Sequence, residues 1–185
     1  RRIVVFDPRD EYAEGGAVVR AGSLREVLLA IKAGWSSGFC VAYVPRAGIE
    51  PQELHELVSL LWKVQAPYER GDDSEKLTLV VEEMDLSFPV RGLTADLDGM
   101  SRAVNQGRHV GLEIIGITQR PALVSATFRG NVSEQFIFPL AWQADRQSIL
   151  AMIGRDHEQT LMGLQPHSYI AVSDGEVSLG CNPPI

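Results

Sequence analysis

Two adjacent carboxylates, Glu82 and Glu83, close an apolar run in "KLTLVVEEMD" (76–85). A buried segment that ends in paired negative charge costs desolvation free energy unless a cation, a hydrogen-bond donor or water answers it. Asp7 ends "RIVVFD" in the same way, and Thr118, Gln119 and Arg120 follow "LEIIGI". Phosphoryl transfer from a nucleoside triphosphate uses such a set. One carboxylate holds magnesium through its water shell, and a second orients and deprotonates the attacking water. A glutamine nearby can contact both a phosphate oxygen and that water. The competing reading is plain: apolar runs also end in Glu or Asp where a strand reaches solvent.

The elements that must position these residues alternate along the chain. Short runs that are apolar at nearly every position occur at 2–7, 38–44, 77–81, 112–118 and 135–140. Such runs suit strands covered on both faces, as in a parallel sheet. Helical patterns lie between them. "SLREVLLAIKAGW" opens with Ser23 and Glu26 at capping-box spacing, so a hydroxyl and a carboxylate can satisfy free amides at the helix start. "PQELHELVSLLWKVQ" places Pro51 in a first turn and aligns Leu54, Leu57, Val58 and Leu61 on one face. "DLDGMSRAVNQGRH" is a weaker third pattern, interrupted by Gly99 and Gly107. "SYIAVSDGEVSLG" reads as a hairpin about Asp174-Gly175. The expected fold is therefore α/β, a mostly parallel, doubly wound sheet with an antiparallel C-terminal edge. In such a sheet ligands collect beyond the carboxyl ends of the strands, where Asp7, Glu82 and Glu83 emerge.

With 185 residues, 45% hydrophobic and 22% charged, the chain fits a single domain over 1–185. The net charge of −7 argues against a surface coated for nucleic acid, while leaving room for a local basic patch or a ring pore. Two cysteines, Cys40 and Cys181, make no disulfide framework, so a reducing, cytoplasmic setting is expected. The four histidines lack metal-ligand spacing. No apolar run approaches the roughly 20 residues of a membrane-spanning helix, and the opening "RRIVVFDPRDEY" is not a signal peptide.

The order of these pieces resembles the FtsK/HerA superfamily of P-loop ATPases, which includes DNA translocases, conjugation coupling proteins, Zot-like proteins and phage packaging ATPases. "RIVVFDPRDEY" is similar to its second core strand, an aliphatic run followed by Asp-Pro and an acidic-aromatic pair. "LTLVVEEMDLSFP" resembles its Walker B strand. "NQGRHVGLEIIGITQRP" resembles the helix end and sensor strand, and "RGNVSEQFIFPLAWQADRQSI" the strand and Asp-bearing helix that follow. The match runs over roughly residues 2–155.

The resemblance implies a RecA-like ATPase core that binds ATP and Mg, acts on DNA, either single- or double-stranded, and assembles into a ring, by resemblance a hexamer. Glu83 takes the water-activating position and Gln119 the sensor position. Glu82 takes the magnesium-associated position, where the family has Asp. Asp7, Arg108, Arg120 and Arg129 are candidates for contacts to nucleotide, the arginines also for nucleic acid or a neighbouring subunit's nucleotide. The chain contains no G-x-x-x-x-G-K-[S/T] and no Gly-Lys pair, so the expected N-terminal strand and Walker A cradle are missing from it. One expectation is an ATPase core of a DNA-translocating or DNA-packaging motor whose phosphate loop is supplied upstream of Arg1. The other is a non-hydrolysing remnant that acts as an assembly or DNA-binding module.

Overall fold

The computed structural model describes residues 1–13, 16–91 and 93–182. Contacts group these into two compact units, 1–118 and 119–185.

The first unit is built on a five-stranded sheet in the order β2-β3-β1-β4-β5: β1 (Arg2–Phe6), β2 (Val19–Ala21), β3 (Phe39–Tyr43), β4 (Leu77–Val81) and β5 (Leu112–Gly116). Every neighbouring pair is parallel, as the continuous apolar runs require. Helix α1 (Leu24–Gly34) links β2 to β3, and α2 (Glu50–Val64), the single turn α3 (Ala66–Glu69), α4 (Met84–Ser87) and α5 (Gly99–Gln106) occupy the later connections. Ser23 caps α1, its hydroxyl accepting from the Glu26 amide, while the Glu26 carboxylate turns back to the Gly22 amide. Strand β2 was not legible in the sequence, because two of its three residues are exposed and it carries no apolar run.

Register sets the core. Val4, Phe6, Val41, Tyr43, Leu79 and Val81 share one face and are all buried. Helix α2 covers this face: Leu54, Leu57, Val58 and Leu61 are withdrawn from water, each contributing about 2 kcal/mol, and the Tyr43 hydroxyl meets Glu53 of α2. The opposite face is uneven. Over β1 and β3 it is closed, with Val5 and Ala42 buried. Over β4 and β5 it is open: Val80 is half-buried, and Ile115 and Ile117 are 50% and 40% exposed. The expectation of strands covered on both faces is thus not met at β5, where Ile115 is half exposed.

At the amino-terminal edge of the sheet, Gln65 donates from Nε2 to the carbonyls of Val110 and Gly111. Gly111 has φ +68, and a Cβ there would lie 2.7 Å from the Tyr68 ring. Gly111→Ala is therefore expected to destabilise the unit by about 1–3 kcal/mol through a left-handed backbone and overpacking, read as a lowered thermal midpoint.

The second unit carries the antiparallel strands. β6 (Glu134–Ile137), β7 (Ser168–Ser173) and β8 (Glu176–Cys181) form a sheet of their own in the order β6-β7-β8. Among the described residues the antiparallel strands thus form a separate sheet where the sequence suggested an antiparallel edge on the parallel one, and the 135–140 run supplies one of them. The β7–β8 turn has positive φ at Asp174 and Gly175, as a two-residue hairpin demands. Ile137 and Ile170 pack with Ile149 of α7 (Gln143–Ile153) and Leu161 of α8 (Glu158–Met162); the short α6 (Ala126–Arg129) precedes β6. No helix of the described residues is long and apolar enough to cross a membrane.

Candidate functional site

Because β1 and β4 are parallel neighbours, with Phe6 opposite Val81, the next residues, Asp7 and Glu82, leave the sheet side by side. The Glu82 amide continues the ladder to the Phe6 carbonyl at 3.0 Å, and the Asp7 amide bonds the Tyr43 carbonyl at 2.9 Å. Strand β5 joins the same rim: the Ile117 amide reaches Val81, and its carbonyl accepts from Met84 at 2.9 Å. The Thr118 hydroxyl donates to Asp85 Oδ1 at 2.6 Å.

Between these fixed points the chain turns sharply at Glu83, which has φ 46° and ψ 51°. A left-handed backbone costs a non-glycine residue roughly 1–2 kcal/mol. Here hydrogen bonds at Glu82 and Met84 on either side hold it in place. Backbone strain over-determined in this way clusters where a side chain must be aimed.

Asp7 is fully buried. One carboxylate oxygen, Oδ2, accepts from the Tyr12 amide at 3.0 Å, while Oδ1 is buried with no hydrogen-bond partner among the described residues. An unanswered buried carboxylate oxygen costs on the order of 1–3 kcal/mol or more, so this atom is set up for a donor, water or cation. Glu82 Oε1 accepts from the Tyr12 hydroxyl. Burial, followed by the bond to Glu82 and the charges of Glu82, Asp7 and Glu11, pushes the Tyr12 hydroxyl pKa well up. Glu83 is paired loosely with Arg9, Nε to Oε1 at 3.6 Å, and the arginine is 60% exposed. Two residues of one loop, Arg9 and Tyr12, thus answer the paired glutamates. The sequence reading missed both, although Tyr12 is the aromatic residue of "DPRDEY"; only pairing of β1 with β4 shows which carboxylate it faces.

Arg108 is exposed in the 3₁₀ turn Gly107–Val110, just before β5 begins, so it sits at the edge of the parallel sheet opposite the glutamates. Gln119 is exposed and directly follows Thr118, at the start of the second unit. Within that unit Arg120 pairs with buried Asp145 at 2.9 Å. Arg129 donates to the Val124 carbonyl and to Ser148 Oγ. Glu53, a further acid of the first unit, in α2, is buried and spoken for by Tyr43 and Arg46.

No family model matches the chain, and no curated protein matches it. Solved structures do. The genome packaging NTPase B204 of Sulfolobus turreted icosahedral virus 2, in complex with sulfate, superposes with a TM-score of 0.73 at 16% identity, covering 100% of this chain and 82% of that one. The fold is shared with viral genome-packaging NTPases. The same NTPase in complex with AMPPCP gives 0.70 at 17% identity, with 83% of its chain covered. The DNA-packaging ATPase B204 of Sulfolobus turreted icosahedral virus gives 0.63 at 13% identity, with 98% of its chain covered. The α/β architecture expected from the sequence is thus the one that the packaging NTPases have.

Proposed function

We propose that this chain carries the ATPase core of a motor that packages or translocates DNA. The observation that carries the reading is the rim where β1 and β4 end: Asp7, Glu82 and Glu83 emerge together, and buried Asp7 Oδ1 has no partner among the described residues. The fold likeness to packaging NTPases solved with ATP analogues supports it.

Hard oxygen donors of this kind suit magnesium. Magnesium is typically held by one or two carboxylates together with phosphate oxygens and water. Glu82 and Asp7 are the residues that would hold it; when bound it would neutralise charge developing on the phosphates. Glu83, aimed by its left-handed backbone, takes the proton from the attacking water. Gln119 touches that water or the γ-phosphate. Arg108, Arg120 and Arg129 remain candidates for DNA or for a neighbouring subunit's nucleotide, with a ring, by resemblance a hexamer, as the assembly.

The phosphate cradle is proposed to come from residues upstream of Arg1. What supports this is that β5 ends the strand order of the sheet among the described residues, with Ile115 in it and Ile117 just after it exposed. Parallel sheets are ordinarily covered on both faces, so a further strand and helix fit there. In a parallel strand successive amides alternate in direction. Since Ile117 faces β4, the amides of Ile114 and Gly116 face the open edge. They are expected to exchange freely in the 185-residue chain and to be protected in the full-length product, measured by hydrogen exchange; equal exchange in both would remove this placement.

A second reading, a non-hydrolysing assembly or DNA-binding module, draws on the satisfied state of Glu82 and Glu83 and on the lack of a Gly-Lys pair. ATP turnover by the full-length product, with and without DNA, separates the two. Turnover stimulated by DNA supports the motor, and none under either condition supports the module.

A further inference from the structure

We infer that Tyr12 is a positioning residue: it fixes the Glu82 carboxylate through its hydroxyl and thereby sets the affinity of the rim for a divalent cation. The inference rests on the proposed role of Glu82 and adds a residue to it. Tyr12 binds the rim at two points, its amide on Asp7 Oδ2 at 3.0 Å and its hydroxyl on Glu82 Oε1, so one residue ties together the ends of two neighbouring strands. Its loop is itself anchored. Asp10, with φ 59°, holds Arg20 of β2 through both carboxylate oxygens at 2.7 and 2.8 Å, and its amide reaches the Asp7 carbonyl.

The chemistry of the donor matters. A glutamate has three rotatable side-chain bonds and, unheld, surveys many positions that cost entropy to collapse on a cation. A phenol orients it while leaving its negative charge intact, whereas an arginine or lysine would offset that charge and compete with the cation. With Oε1 engaged, Oε2 is left for the cation or its water. Buried Asp7 Oδ1, without a partner among the described residues, is the second oxygen available. Hydrogen-bonded partners of ligating carboxylates commonly tune metal affinity or activity by about 10–100-fold.

The test is Mn²⁺ titration of the full-length protein with a non-hydrolysable ATP analogue, following the free-ion signal by electron paramagnetic resonance. Tyr12→Phe is expected to weaken Mn²⁺ about 10-fold or more, with the analogue's own affinity in the absence of metal unchanged. Because Tyr12 acts through Glu82, the Tyr12→Phe, Glu82→Gln double variant should bind Mn²⁺ no more weakly than Glu82→Gln alone. Should Tyr12→Phe fold poorly, Arg20→Ala frees the far end of the loop and is expected to weaken Mn²⁺ in the same direction. Wild-type Mn²⁺ affinity in Tyr12→Phe beside a loss in Glu82→Gln, or additive losses in the double variant, overturns the role of Tyr12. Unchanged affinity in Glu82→Gln as well overturns the metal role of Glu82 and Tyr12's role with it.

Discussion

Glu83→Gln in the full-length product is expected to lower ATP turnover by about 10²–10⁴-fold, the ordinary contribution of a general base, while ATP-analogue binding is kept. The substitution is nearly isosteric and keeps the side chain's length, so packing around the turn is unchanged. The left-handed backbone is held by main-chain bonds at Glu82 and Met84 and does not depend on the carboxylate. What is lost is the ability to accept a proton, together with the 3.6 Å ion pair to Arg9. That pair is exposed on the arginine side and contributes at most about 1 kcal/mol, so a collapse in turnover cannot be assigned to unfolding. Steady-state turnover beside fluorescent-nucleotide binding makes the measurement, and turnover equal to the wild type would remove Glu83 from the water-activating position.

Arg120→Met is expected to destabilise the second unit by about 2–3 kcal/mol. Asp145 is 1% exposed and is satisfied by the Arg120 guanidinium and the Ala122 amide. Removing one partner of a buried pair leaves a charge unanswered, at a cost of about 3–5 kcal/mol when both partners are buried. Arg120 is 37% exposed, so solvent reaches it and the lower figure applies. Its guanidinium also lies 5.2 Å from the Trp142 ring, which makes tryptophan fluorescence in a denaturant titration the natural probe. Arg108→Ala, at an exposed position, should change stability by less than about 0.5 kcal/mol. An Arg120 variant as stable as the wild type would favour a contact to nucleotide or nucleic acid over a structural one.

Much of the first unit was legible because burial on a parallel sheet writes itself as continuous apolar runs: 2–7, 38–44, 77–81 and 112–118 contain β1, β3, β4 and β5. The Ser23 cap, the apolar face of α2 and the Asp174-Gly175 hairpin also rest on local rules, and all are present. The rest depends on tertiary partners. Strand β2 is short and half polar, so no local pattern marks it. Nothing in the 135–140 run distinguishes a strand of a separate antiparallel sheet from one of the parallel sheet. At the site, the types of Asp7, Glu82 and Glu83 could be read, but the residues that answer them could not. Arg9 and Tyr12 lie more than 60 positions from the glutamates, and only strand pairing brings them together.

The rim where β1 and β4 end is the proposed seat of the nucleotide and its metal ion. Paramagnetic broadening of backbone amide signals by Mn²⁺ with an ATP analogue, on the full-length protein, tests it most directly. Strong broadening is expected at Asp7, Glu82 and Glu83, with Arg108 and Val110 at the opposite edge far less affected. Broadening at the Arg108 edge, with the glutamate signals untouched, would contradict it.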